Sequence, residues 1–350
     1  MTSHLTLTYA ATWLVTLSLV GSLPTTRSAP RLARSTHAAG LLLVANKGDR
    51  TLSVIEPRTG AQIAVVPEGG VTGHEVAASP DGTRAYVPIY GNSGVGKPGT
   101  DGSTIDVIDL ESRRVVQTFD FGHGVRPHCI VVGPTDGLLY VTTELDHAIT
   151  IIDPATMKIV GTVPTGQAES HMLAISRDGK RGYTANVGPG TVSVLDLVAR
   201  KTITVIPVAS HVQRISISPD GRWVFTSDTE KPRLAVIDVA TNKVHSWIAL
   251  PETGYGTAST PDGKLLLVAL PEAKGVAVIN LAKMTVVKTI HVPASPQEVL
   301  VRPYGHVAYV SCDTSHQVAA IDLDTWKVTL IEAGNGADGL AWAPPVSIGR

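Results

Sequence analysis

A unit of about 42 residues recurs seven times along this chain, and that period constrains the fold before any single residue does. Its clearest copy is Gln213–Leu250, where the tract Gln213–Gly221 is followed by Arg222–Asp228, Pro232–Asp238, a turn at 240–243 and Val244–Leu250. Each apolar stretch is short, rich in Ile and Val, and bounded by turn formers. The unit therefore reads as four antiparallel strands, A (innermost) to D (outermost). Between A and B stands Ser218-Pro219-Asp220-Gly221, with Pro to fix φ and Gly to take a positive one. The hairpin prolines are Pro80, Pro134, Pro219, Pro261, Pro303 and Pro344, and Arg177 holds the place in one copy; the successive spacings are 54, 43, 42, 42, 42 and 41. Strand C repeats in step, from Val54-Ile55-Glu56 to Ala320-Ile321-Asp322.

Seven such units predict an all-β chain folded as a seven-bladed β-propeller, four antiparallel strands per blade. One sheet of this kind cannot bury both its faces, whereas a closed ring of them can, and it leaves only short edges. The N-terminal copy begins at strand B, Leu41–Asn46, and the C-terminal copy ends with a lone strand A, Asp338–Ala343. The ring is thus expected to close with one C-terminal strand plus three N-terminal strands. The tracts Tyr140-Val141-Thr142-Thr143, Tyr183-Thr184-Ala185-Asn186 and Tyr309-Val310-Ser311-Cys312, with the hairpin and strand C motifs, resemble the YVTN or YncE-like family of seven-bladed propellers. The resemblance spans about residues 38–345. It implies the fold and little else, because the neighbours of that family include lactonases, streptogramin-type lyases, haem-binding propellers and plain binding scaffolds.

Residues 1–29 differ in kind. Ala10–Leu23 is an apolar run too short for a comfortable membrane span, and Thr26-Arg27-Ser28-Ala29 offers small residues for cleavage. This predicts a signal peptide at 1–29, a linker at 30–39, one propeller domain at 40–345 and a tail at 346–350. The mature protein is then periplasmic or secreted, with no stable membrane span and a monomeric ring. A net charge of −1 gives no basic field for nucleic acid. Cys129 and Cys312 fall in the second and sixth blades, too far apart for a disulfide.

The first complete blade carries the only large insertion, Pro88–Ser103, between strands B and C. Within it Gly91-Asn92-Ser93-Gly94-Val95-Gly96-Lys97 imitates a phosphate-binding loop. Pro98 stands where that motif needs Ser or Thr, and no helix start follows. The segment reads instead as a Gly-rich flap, able to cover a ligand or offer backbone N–H groups to an anion.

The D–A connections and B–C loops share one face of the ring; the A–B and C–D hairpins share the other. Six residues before each hairpin proline, or before Arg177, lies the first residue expected in strand A, at the channel mouth. The series is His74, His128, His171, Gln213, Tyr255, Gln297 and Asp338. None is aliphatic, and three consecutive blades supply histidine. The next position adds Glu75, Arg214 and Glu298. The B–C loops add Tyr90, Asn92, Lys97, Glu144, Asp146, His147, Asn186, Asp228, Lys231, Asp313 and His316, while Arg126 and Glu169 precede strand A. Seven equivalent positions converge on one axis, which predicts a site for a small molecule or glycan.

Three chemistries suit these residue types. His74, His128 and His171, with Glu75 as a possible fourth ligand, could hold zinc, copper or iron with a position left open. Without a metal, His128 or His171 serves as general base, Tyr255 as acid and Arg214 as partner of a substrate carboxylate, the parts of a lyase on an acidic sugar or lactone-like ring. A lactonase would use similar parts with metal-bound water. A non-catalytic protein or glycan scaffold is the third reading. Trp223, Trp247, Trp326 and Trp342 read as interblade packing. His123 and His211 read as exposed neighbours of the mouth, and Met157 and Met284 as solvent-side variation in C–D turns.

Overall fold

The computed structural model describes Met1 and residues 40–346, apart from 93, 304 and 305. The expected signal peptide beyond Met1, the linker and residues 347–350 of the tail lie outside the described residues. Among the described residues no helix is long and apolar enough to cross a membrane.

Among the described residues twenty-eight strands form seven four-stranded antiparallel sheets, each in sequence order from A to D except the one that joins the termini. Blade one begins with strand A at Ala77–Ala78, and strand A of blades two to six is Pro127–Val132, Ser170–Ile175, Val212–Ile217, Thr257–Ser259 and Pro296–Val301. Blade seven takes strand A from Ala337–Ala343 and strands B, C and D from Leu41–Asn46, Thr51–Glu56 and Ala61–Pro67. Its register runs from Leu41↔Ala343 to Asn46↔Ala337. Each strand A touches the next all the way round, including blade seven against blade one, so the inner ring is closed.

Both faces of each blade are buried, which is why the B and C strands read as continuous apolar runs. Leu41, Leu43 and Ala45 enter the wedge against blade one with Val87 and Ile89, while Leu42 and Val44 enter the wedge against blade six with Tyr309 and Val318. The core is therefore a set of wedges between blades.

Turn chemistry explains the rest of the repeat. Gly221 takes φ +71°, and Trp223 N–H donates to Ser218 Oγ at 2.9 Å, which closes the A–B hairpin. The Asp that ends strand C caps the next turn: Asp238 Oδ1 accepts Thr241 N–H at 2.8 Å, and Asp109, Asp196 and Asp322 do the same for the residue three further on.

Two expectations need correction. The insertion in blade one is loop only in its middle, because its two ends extend strands B and C. Strand B runs Arg84–Gly91, strand C runs Asp101–Asp109, and Pro88↔Ile105 and Gly91↔Asp101 still pair. Burial of Ile89 and Ile105 draws the hairpin out, and the loop is only 92–100, its base tied by Thr100 N–H to Asn92 Oδ1 at 2.7 Å. Met157 is not solvent-side: its thioether is buried in the wedge between blades one and two, and Met284 packs against the wedge between blades four and five. Trp223, Trp247, Trp326 and Trp342 each lie under a cation, respectively Arg222, Arg233, Lys288 and Arg302.

Candidate functional site

Six of the seven ring positions come together at the mouth. His74, His128, His171, Gln213, Tyr255 and Asp338 line one cavity of about 130 Å³. Lys47, Tyr90 and Arg214 complete its wall, with Gly94 and Val95 of the flap. In five blades the ring residue is the second of strand A, not the first; in blades one and five strand A starts after it. Gln297 does not line the cavity: its side-chain N–H reaches only Ser295 O at 3.4 Å, and its backbone carbonyl accepts Gly256 N–H at 3.0 Å.

The aromatic groups pack as a cluster. The rings of His128 and His171 stack with centroids 3.5 Å apart at 29°. His74 meets His128 edge-on at 5.4 Å, and Tyr90 meets His128 and His171 edge-on at 5.2 and 5.8 Å. Burial sets the charge of all three imidazoles. It holds His74 down at about 4 against the pull of Asp338. It pushes His128 well below its usual value, with the neighbouring His171 and His74 adding to the effect. It also lowers His171, although Glu144 opposes it. At neutral pH the cluster is three neutral rings. His128 Nδ1 is buried with no partner among the described residues.

Glu144 orients this cluster. Its Oε2 accepts Tyr90 Oη–H at 2.8 Å and faces His171 Nδ1 at 3.4 Å, and Arg126 Nη1 lies 3.6 Å from Oε1. Burial would raise this carboxyl, but the bonds from His171 and Tyr90 outweigh it and keep it ionised. A carboxylate only accepts, so Nδ1 carries the proton and the lone pair is left on His171 Nε2.

The same cavity wall carries an ion cluster centred on buried Arg214, Glu75 and Asp338. Arg214 Nη1 donates to Glu75 Oε1, Nη2 donates to Asp338 Oδ1 at 2.8 Å, and Glu298 Oε2 lies 3.9 Å away. Lys47 Nζ pairs with Asp313 at 3.0 Å and with Asp338 at 3.2 Å. Burial drives Glu75 well above the usual carboxyl range and raises Glu298, while Arg214 and Lys47 overcome burial to hold Asp338 down. Burial thus inclines both Glu75 and Glu298 toward the acid form.

This arrangement changes the roles read from the sequence. Arg214 spends one N–H of each terminal nitrogen on Glu75 and Asp338, so its charge is already paired, while its buried Nε has no partner among the described residues. Glu75 and Glu298 belong to the ion cluster and do not line the cavity; Glu298 Oε2 also accepts Leu340 N–H at 2.7 Å. Arg126 holds the flap, donating to Asp101 Oδ1 at 2.6 Å and Lys97 O at 2.8 Å, and with Lys97 and Glu144 it lines a neighbouring cavity of about 360 Å³. Asn92 closes the flap base. Asn186 is a blade strut: its Nδ2 donates to Thr191 and Ser193, and its Oδ1 accepts from Ser170 and Thr184. His123 and His211 are exposed and pair with Asp146 and Glu230. Both cysteines are free and buried. Lys47 is the wall residue that the sequence reading missed; it follows strand B in blade seven at the place that Glu144 holds in blade two. Among the described residues no group of three His, Cys, Asp or Glu is arranged to hold a metal ion.

Residues 133–260, under half of the chain, match the family model described as the cytochrome D1 heme domain. Among solved structures, hydrazine synthase of Kuenenia stuttgartiensis is similar to this chain with a TM-score of 0.68 and 18% identity, over 89% of this chain and 99% of that one. At that identity the likeness is one of fold, the seven-bladed propeller. A search of the curated proteins returned no match.

Proposed function

We propose that this protein is an exported propeller that binds a compact polar molecule at the mouth of its channel. The observation that carries this reading is the meeting of six of the seven equivalent ring positions, from six blades, around one cavity walled by three neutral imidazoles and two phenols. The cavity of about 130 Å³ offers the space of roughly four waters at ~30 Å³ each, well below the ~300–1,000 Å³ of sites for drug-sized ligands. One end of a lactone or of a single acidic sugar ring suits it. The resemblance to YVTN-type propellers and the apolar N-terminal run of the sequence support an extracytoplasmic setting.

Acid–base chemistry is the second reading, and the Glu144–His171 pair favours it. With Nδ1–H turned to Glu144, Nε2 is free to take a proton from a bound molecule, and Tyr255 Oη, which has no partner among the described residues, can return one. β-Elimination or lactone opening would use the two groups in that way. A non-catalytic glycan scaffold needs neither group.

The partial match to a haem domain raises haem or a bare ion as the occupant. The residues do not fit a haem. The cavity is too small for the macrocycle, His128 and His171 cover each other's faces, and His171 Nδ1 is turned to Glu144. Zinc, copper or iron needs ring nitrogens converging on one point, and rings stacked face to face with centroids 3.5 Å apart do not present their nitrogens in that way. Loading with each metal followed by elemental analysis is expected to leave the protein below one ion per chain.

The test is a thermal-shift panel of small lactones and uronic acids on the mature protein. At least one compound should stabilise it, and His128→Ala and His171→Ala should abolish that shift while remaining folded. Ligands that bind both variants as well as the parent protein would remove the mouth as the site.

A further inference from the structure

The opposite face of the ring holds a larger cavity, of about 610 Å³. It lies among the A–B hairpins of blades three, four and five and the C–D turn of blade five. Its volume falls within the range of sites for drug-sized ligands, ~300–1,000 Å³. Trp223, Leu281 and Met284 give it an apolar lining. Arg177 and Arg222 supply its cations.

Arg177 occupies the one hairpin place where the other six blades have proline. The turn does not require that change, since Pro serves it elsewhere and the Arg177 N–H has no backbone partner among the described residues. The surrounding hairpins, 176–181, 218–222 and 260–264, hold five basic residues against three aspartates, in a chain whose net charge is −1. The aspartates that line the cavity are engaged. Asp220 Oδ1 accepts Arg222 N–H at 3.0 Å and the Ser218 hydroxyl, while Asp262 accepts Lys264 N–H at 3.1 Å and pairs with Lys264 Nζ at 3.1 Å. Neither Arg177 nor Arg222 has a carboxylate partner among the described residues. Arg222 is also held in place, its guanidinium 4.5 Å above the ring of Trp223. A cation ordered before binding loses little freedom on meeting an anion.

We propose that this cavity is a second ligand site, for an amphipathic anion: a carboxylate, sulfonate or phosphate joined to an aryl or alkyl body. Arg177 and Arg222 take the anionic group, and the Leu281 and Met284 wall takes the body. The site is independent of the channel mouth and does not rest on the function proposed for it.

The experiment uses 8-anilinonaphthalene-1-sulfonate as probe, titrated by fluorescence into the mature protein at low salt. One saturable site is expected. Arg222→Ala and Arg177→Pro should each weaken it at least fivefold, added salt should weaken it further, and His171→Ala should leave it unchanged. Arg177→Pro restores the residue of the other six hairpins, and near-UV circular dichroism checks its fold; Arg177→Gln replaces it if it fails to fold. Equal affinity in the arginine variants, or loss in His171→Ala, overturns the proposal.

Discussion

Replacing His74 with Gln should change how stability depends on pH. His74 is held neutral by burial, with its pKa lowered from 6.5 to about 4. A histidine lowered in the folded state contributes stability above its unfolded pKa, and that contribution is lost as pH falls from 6.5 through 4, because the unfolded chain takes up the proton first. Between pH 7.5 and pH 4.5 this loss is about 2.5 kcal/mol from the one residue, since each tenfold difference in proton affinity between the folded and unfolded chain is worth about 1.36 kcal/mol. Glu75 and Glu298 act in the opposite sense, since acids raised by folding gain relative stability as pH falls. The comparison must therefore be between His74→Gln and the parent at each pH. Equilibrium urea unfolding at the two pH values reads it. Whatever packing penalty the variant has at pH 7.5, it should gain about 2.5 kcal/mol relative to the parent at pH 4.5. A difference between variant and parent that is the same at both pH values would refute a buried neutral His74.

Arg214→Leu should destabilise by about 3–5 kcal/mol, because it strands buried Glu75 and Asp338 without their cation; thermal melts should show a smaller penalty at pH 5 than at pH 8, where those carboxyls are more fully ionised. Glu298→Gln keeps an acceptor for Leu340 N–H and removes an acid whose proton affinity burial raises on folding. Its stability relative to the parent should therefore rise with pH above the ordinary carboxyl range, as urea unfolding at pH 4 and pH 8 would reveal. Asn186→Ala should cost about 3 kcal/mol in the same assay, since Ser170, Thr184, Thr191 and Ser193 lose a shared buried partner.

The blades were legible in the sequence because each is made of local contacts: hairpins capped by Asp and turned by Gly, repeated at one period. The ring of mouth residues was legible for the same reason, since counting back from Pro80, Pro134 or Pro219 reaches equivalent places in equivalent blades. The partners across the channel were not. Arg214 bonds Glu75 and Asp338 from blades one and seven, 139 and 124 residues away in sequence, and no pattern within a repeat encodes which side chain reaches the axis. A lone Arg beside a polar ring therefore looked like a ligand receptor, when two buried carboxyls and a third, partly exposed one already surround it. Three histidines at successive ring positions looked like a metal triad, but short spacing between neighbouring inner strands lets His128 and His171 stack. Lys47 escaped notice because the copy that carries it lies at the N-terminal end, apart from its own strand A.

Histidine ring ¹⁵N spectra of the labelled mature protein test most directly whether the mouth is a neutral, proton-accepting site, with His74, His128 and His171 assigned by single replacement with Asn. At pH 7.5 all three rings should be neutral, His74 and His128 should stay so down to pH 5.5, and His171 should carry its proton on Nδ1, with Nε2 as the nitrogen that shifts when a ligand from the panel is added. A ring at His128 or His171 that becomes charged near pH 6.5, or a His171 protonated on Nε2, would contradict the arrangement from which the proposed function is drawn.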